Sequence, residues 1–249
     1  KLPLGFSIKP SFNRKVTRRS GSTQTRLRVE ERQVFPKANI SWSKADRLPF
    51  IKKIINSSQV SMTYQITRGR QGEGSLESGS LISEGKTTEF TTSWNGRIRI
   101  GPTVSVKRTL SASTDKDFEL ASFIDSTQVE GDSQPLRGSS SQEKSITTIS
   151  TSYNLKPRGL PLLGKLKSNV DLKYEFGLER AIRASATSNA ERAPISDIDK
   201  WKTSLRATYK FSGSFRGEAI IRLENSRNNL TDKTRKTREV RMSGTLFFR

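Results

Sequence analysis

The chain has 249 residues, a formal net charge of +21, no cysteine, no histidine and 31% hydrophobic residues, with a mean hydropathy of -0.66. Without His or Cys the usual hydrolytic triads, thiol nucleophiles and most zinc sites are excluded, so the chain reads as a non-enzyme with no catalytic residue, metal or cofactor. No window approaches the roughly 18 consecutive apolar residues of a membrane helix, although strands that meet lipid with alternate side chains escape such a test.

Alternation of apolar and polar residues recurs along the chain and divides it into about ten strands. The first, about 4–17, sets Phe6, Ile8 and Phe12 against Ser7, Lys9, Ser11, Asn13 and Lys15. The second, about 23–43, changes parity midway: Leu27 and Val29 are odd, Ile40 and Trp42 even, and Pro36 lies between. A bulge there is the expected repair, because proline removes a ladder donor. After the connector Arg47-Leu48-Pro49-Phe50-Ile51, the third strand, about 57–68, opposes Val60, Met62, Tyr64 and Ile66 with Ser61, Thr63, Gln65 and Thr67. The Gly/Ser-rich stretch 69–85 reads as a loop. Strands four (about 86–94) and five (about 97–112) flank Asn95-Gly96, a strong hairpin dipeptide. Strand five sets Ile98, Ile100, Val104, Val106 and Leu110 against Arg97, Arg99, Thr103, Ser105 and Lys107.

Residues 113–141 are acidic and rich in Ser, Gly and Asp, and are expected as a long extracellular loop. The sixth strand, about 143–155, is weakly patterned. The connector Gly159-Leu160-Pro161-Leu162-Leu163 leads to the seventh, about 167–183, where Val170, Leu172, Tyr174, Phe176 and Leu178 oppose Asp171, Lys173, Glu175 and Glu179. The eighth, about 199–211, sets Trp201, Leu205, Ala207, Tyr209 and Phe211 against Lys202, Ser204, Arg206 and Lys210. The ninth, about 214–226, opposes Phe215, Ala219, Ile221 and Leu223 with Arg216, Glu218, Arg222 and Glu224. After a loop at 227–236, Val240, Met242, Gly244, Leu246 and Phe248 alternate with Arg241, Ser243, Thr245, Phe247 and Arg249.

This pattern points to an all-β chain: a single unit over residues 1–249, an antiparallel transmembrane β-barrel of about ten strands in a bacterial outer membrane. A soluble sandwich explains one such strand equally well; the membrane reading rests on the recurrence of the pattern and on the sorting of connections. Long polar loops follow the third, fifth, seventh and ninth strands, and two-residue turns or Leu-Pro connectors fall at the other end. The lipid-facing candidates are Val170, Leu172, Tyr174, Phe176, Leu205, Tyr209, Phe215, Ile221, Leu223, Val240, Met242, Leu246 and Phe248. The pore-lining candidates are Arg97, Arg99, Lys107, Lys173, Glu175, Arg206, Arg216, Glu218, Arg222 and Glu224. Trp42, Trp94 and Trp201, with Tyr64, Tyr153, Tyr174 and Tyr209, fit interfacial girdles. A closed ten-strand barrel would have a narrow lumen, and the acids are too few to pair every inward Arg and Lys there. An arc of a larger barrel is therefore expected, its first and last strands pairing with other segments. Charge alone would suggest nucleic acid, but the basic residues alternate with apolar ones instead of clustering with stacking aromatics, so no nucleic-acid partner is expected.

The two Leu-Pro connectors form an internal repeat. Arg47-Leu48-Pro49-Phe50-Ile51 precedes Ser58-Gln59-Val60-Ser61-Met62 as Gly159-Leu160-Pro161-Leu162-Leu163 precedes Ser168-Asn169-Val170-Asp171-Leu172. With Trp42-Ser43 before the first and Asn154-Leu155 before the second, these segments resemble the C-terminal region of the SprA/Sov family. Members of that family form the giant outer-membrane barrel of the type IX secretion system. The resemblance covers about a quarter of the chain and assigns no individual functional residue. It implies a protein-conducting pore for folded cargo, with outer-membrane lipids, other barrel segments or subunits, accessory lipoprotein or plug subunits, and secreted cargo as partners. A small outer-membrane porin or adhesin is the alternative. The chain starts at Lys1 without a signal peptide and is expected to be a C-terminal portion of a longer protein.

Overall fold

A computed structural model of the chain describes residues 5–19, 28–44, 53–73, 75–76, 80–118, 136–155, 169–187, 191–211 and 214–247. They form ten strands and, among the described residues, no helix: β1 (Phe6–Arg19), β2 (Arg28–Trp42), β3 (Ile55–Glu73), β4 (Leu81–Ile98), β5 (Thr103–Phe118), β6 (Leu136–Leu155), β7 (Val170–Thr187), β8 (Ala193–Lys210), β9 (Phe215–Asn228) and β10 (Lys233–Leu246). The composition favours this outcome. A run such as Ile146-Thr147-Thr148-Ile149-Ser150-Thr151 in β6 is largely β-branched and packs well on a pleated surface.

Every strand pairs antiparallel with its neighbours in sequence, giving one sheet in the order β1 to β10. The sheet is not closed: β1 pairs with β2 and β10 with β9, and the two outer strands do not meet. Among the described residues no second layer packs on it. Among the described residues the only buried apolar side chains are Val29 and Ile220, at 5% and 3% exposure. A sandwich of this size would bury the alternate residues of every strand between its two sheets, whereas Val240 and Met242 are 72% and 81% exposed.

The parity change in β2 is accommodated by the expected bulge. Val34 pairs with Thr67 and Lys37 with Gln65, so Phe35 and Pro36 stand opposite the single residue Ile66. On the other side the same two residues stand opposite Phe12, whose ring meets Phe35 edge-on with centroids 5.6 Å apart. Pro36 offers no N–H, so the ladder is interrupted where nothing is lost by interrupting it.

Three expectations are corrected. Asn95-Gly96 is not a turn. β4 runs through both residues, pairing Asn95 with Ser105 and Gly96 with Val104, and the chain reverses at Arg99–Pro102. There Gly101 takes φ +115° and donates its N–H to the Ile98 carbonyl at 3.0 Å. A glycine supplies that conformation without a Cβ clash, whereas Gly96 serves the strand: the Trp94 ring lies over it, 2.4 Å from where a Cβ would be. Second, the strands reach further into the expected loops. β3 continues to Glu73, β4 begins at Leu81, β5 ends at Phe118 and β6 begins at Leu136, so Asp115 and Asp117 belong to β5. Of the expected acidic loop 113–141, residues 119–135 lie outside the described residues. Third, connection lengths are not segregated. The reversal between β9 and β10 takes only 229–232, with Asp232 at φ 51°, while at the opposite end β2–β3 and β6–β7 are joined by 43–54 and 156–169. The segments 45–52 and 156–168, with most of the Leu-Pro repeat, lie outside the described residues.

The position of the β4–β5 reversal is testable. Gly101→Val places a Cβ 3.0 Å from Tyr153 Cε2 in a backbone region side chains avoid, and we expect a loss of about 1–3 kcal/mol. Asn95→Thr, in mid-strand, should change the unfolding free energy measured by urea titration by no more than about 0.5 kcal/mol. Equal losses for the two would restore the Asn95-Gly96 turn.

Candidate functional site

The site is the sheet itself, read as two surfaces. Directly opposed residues share a face, and following the pairs gives one straight row across all ten strands: Phe6, Trp42, Val60, Trp94, Val106, Ile149, Phe176, Thr203, Leu223 and Arg238. Every lipid-facing candidate among the described residues lies on the face of this row. Val170, Leu172, Tyr174 and Phe176 on β7 share it with Leu205 and Tyr209 on β8, with Phe215, Ile221 and Leu223 on β9, and with Val240, Met242 and Leu246 on β10. Phe248 is outside the described residues. Aromatic rings cover the glycines of this face: Phe211 lies over Gly217, and Phe215 over Gly244, which restores contact where a side chain is missing.

The apolar band does not follow the row; it crosses it diagonally. On β1 and β2 the row holds Phe6 and Trp42, at the margin nearest the 43–54 connection, and apolar residues run upward from it through Ile8, Ile40 and Phe12. On β10 the row already holds Arg238, and the apolar residues run the other way, from Val240 to Leu246, eight positions from Arg238. Eight residues at ~3.3 Å each, over nine strand steps of ~4.8 Å, incline the band by about 30° to the hydrogen-bond rows.

The opposite face is polar and has two parts. Across β2–β6 it is largely neutral: Ser61 and Ser93 hydroxyls lie 2.6 Å apart, Thr63 donates to the Asn39 side-chain oxygen at 3.0 Å, and Thr91 and Thr109 meet at 3.2 Å. Glu89 accepts from Gln65 at 3.2 Å and from Thr91 at 3.3 Å. Across β6–β10 it becomes a ladder of ion pairs: Lys144–Glu179 at 2.7 Å, Lys202–Glu175 at 3.3 Å, Lys200–Glu224 at 2.9 Å, Arg206–Glu218 at 3.5 Å and Arg222–Glu239 at 3.2 Å. Only Arg222 and Glu239 stand directly opposite each other; the others reach diagonally by two residues, within range of long side chains. Ser105 of β5, Ser150 of β6, Lys173 and Glu175 of β7, Lys202 and Arg206 of β8 and Arg222 of β9 line one hollow of about 640 Å³. Residues of five adjacent strands can share a hollow only where the sheet curls toward this side.

The pore-lining candidates Lys107, Lys173, Glu175, Arg206, Arg216, Glu218, Arg222 and Glu224 all lie on this polar face, and Arg97 joins them at the end of β4. Arg99 does not: it stands in the reversal after β4, its N–H bonded to the Ile54 carbonyl at 2.9 Å. Arg216 lies 5.9 Å from the centre of the Phe247 ring. Among the described residues no carboxylate is within salt-bridge distance of Lys107, Lys173 or Arg216. The tyrosines and tryptophans divide: Trp42 and Trp94 mark one margin of the band and Trp201 the other, whereas Tyr64 and Tyr174 sit inside it with apolar neighbours on both sides. The Trp94 indole donates to Ser58 Oγ at 2.8 Å. Among the described residues no cluster of three metal-ligating side chains occurs.

No protein-family model matches the sequence, and no curated protein matches it either.

The ladder gives a stability prediction. Arg222→Glu sets two carboxylates directly opposite each other and should lower the unfolding free energy by up to about 1 kcal/mol. The exchange Arg222→Glu with Glu239→Arg should recover most of it. If the exchange leaves the urea midpoint where the single variant put it, the β9–β10 pair is not a stabilising contact.

Proposed function

We propose that the chain is a transmembrane arc of a larger outer-membrane β-barrel, its polar face lining the pore of a protein-conducting channel of the SprA/Sov kind. The observation that carries the membrane part is the slanted apolar band on a sheet with no second layer. A large exposed apolar surface requires a cover, and bilayer hydrocarbon is a cover that needs no partner chain. Strands of membrane barrels tilt by ~35–45° behind an apolar belt ~25 Å tall. The inclination here is about 30°, and Val170 to Leu178 along β7 amounts to about 22 Å measured across the band.

Two features favour an arc over a self-contained porin. The sheet is open, and both outer strands present unpaired ladders that cannot face hydrocarbon, since an unsatisfied backbone group there costs several kcal/mol. Among the described residues Lys107, Lys173 and Arg216 on the polar face have no carboxylate within salt-bridge distance, Glu175 and Glu218 being paired with Lys202 and Arg206, which a wide water-filled lumen accommodates and a narrow plugged one does not. A wide lumen, together with the two Leu-Pro segments, supports passage of folded cargo and no enzymatic role. The chain's neighbours are then lipids, further barrel segments, and plug or lipoprotein subunits that control the opening.

Since the chain has no native cysteine, single cysteines report on it directly. In outer membranes, cysteines at Ser204 and Arg222 should react with a membrane-impermeant maleimide, and those at Leu205 and Ile221 should react only after solubilisation. Alternate reactivity without a bilayer difference would sink the membrane reading. For the arc, cysteines at Ser11 of β1 and Ser243 of β10 should cross-link to other segments; a disulfide between these two would show a closed ten-strand barrel instead. Native purification should bring down a plug or lipoprotein subunit, and a protein isolated alone with small-solute conductance would favour the porin.

A further inference from the structure

The apolar face does not stay apolar to the ends of its strands. On β3 the same alternate positions run Val60, Met62, Tyr64, Ile66 and then Arg68 and Arg70; on β7 they run Phe176, Leu178 and then Arg180; on β10, read from Met242 backward, they run Val240, Arg238 and Lys236. These cations border the band on the side of the connections 74–80, 188–192 and 229–232. The opposite margin carries Trp42, Trp94, Tyr153, Phe211, Phe215 and Leu246.

The cationic border slopes with the band. Arg14, Arg68 and Lys86 share one hydrogen-bond row. On β3 Arg68 lies eight residues above the row through Val60, whereas on β10 Arg238 lies in that row. Level across β1–β4, the border then descends through Arg180, four residues above that row on β7, to Arg238 on β10, the direction in which the apolar band also falls.

Part of the border is neutralised within the sheet: Arg14 by Glu31, Arg70 by Glu84 at 3.0 Å, and Arg180 by Asp197 and Asp199 at 3.6 Å. Arg68, Lys86, Lys236 and Arg238 are exposed, and among the described residues none has a carboxylate within salt-bridge distance. Arg68 and Lys86 are moreover direct cross-strand partners. Like charges so placed repel, and an anion between them reverses the sign of the contact. Phosphate suits an arginine fork beside a lysine point charge.

We propose that this border binds the phosphorylated headgroups of a glycolipid in the leaflet facing those connections. The proposal rests on the membrane reading above. Arg68 and Lys86 form one phosphate site and Lys236 and Arg238 another, each at the level where the apolar band ends and headgroups begin.

The test uses the full-length protein reconstituted in phosphatidylcholine nanodiscs containing diphosphoryl lipid A, with retained glycolipid counted by native mass spectrometry. Arg68→Gln/Lys86→Gln and Lys236→Gln/Arg238→Gln should each retain on the order of ten-fold less lipid A than wild type. Lys15→Gln/Lys37→Gln, on the polar face, should retain as much as wild type. Equal retention by all variants overturns the proposal, as does equal retention of a dephosphorylated lipid A. Displacement by inorganic phosphate also overturns it, by revealing a free-anion site. Nanodisc uptake is scored separately: uptake without lipid A retention sinks this inference alone, and failure of uptake sinks the membrane reading with it.

Discussion

The antiparallel backbone ladder holds this structure together almost unaided. Long strands, 14 to 20 residues each, are fixed by hydrogen bonds to their neighbours, and among the described residues no packed interior stands behind them. Hydrophobic burial is ordinarily the dominant favourable contribution to folding. Here the apolar side chains are gathered on one face and then left uncovered, so the stabilisation they can supply depends on what surrounds the sheet. The proposed bilayer setting rests on that dependence.

The polar face answers a different requirement. A surface lining water has no need of a core, but its charges must not repel one another across the ladder. On β6–β10 this is met by diagonal pairs such as Lys202–Glu175 and Lys200–Glu224, each half-exposed and individually weak. On β2–β6 hydroxyl and amide contacts such as Ser61–Ser93 and Thr63–Asn39 achieve it without charge. Among the described residues, cations without a carboxylate in salt-bridge distance occur on both faces, for example Lys107, Lys173 and Arg216 on the polar face and Arg68, Lys86, Lys236 and Arg238 along the border of the apolar one.

Much of this was legible in the residues. Parity alone sorted Val170, Leu172, Tyr174 and Phe176 from Lys173 and Glu175, because a strand has a strict period of two. The parity change around Pro36 located a bulge to within a residue, because proline has a fixed chemical deficit. Asn95-Gly96 misleads for a physical reason: a turn dipeptide is only a local preference, outweighed here by the Trp94 ring over Gly96 and the continued pairing to Val104 and Ser105. Parity of apolar residues understates the strand ends: β3 runs on past Arg68 to Glu73 and β7 past Arg183 to Thr187, through small and polar residues that carry no apolar alternation.

The sequence by itself therefore determined which side chains share a face, since that depends only on odd and even position along one strand. Two things were decided only by the assembled sheet. One is the register between strands, set by ladder pairing and the bulge, which turns ten separate apolar stretches into one band inclined by about 30° with cations along one margin. The other is that β1 and β10 do not meet. Closure depends on twist and curvature accumulated over all ten strands, and no single strand carries that information.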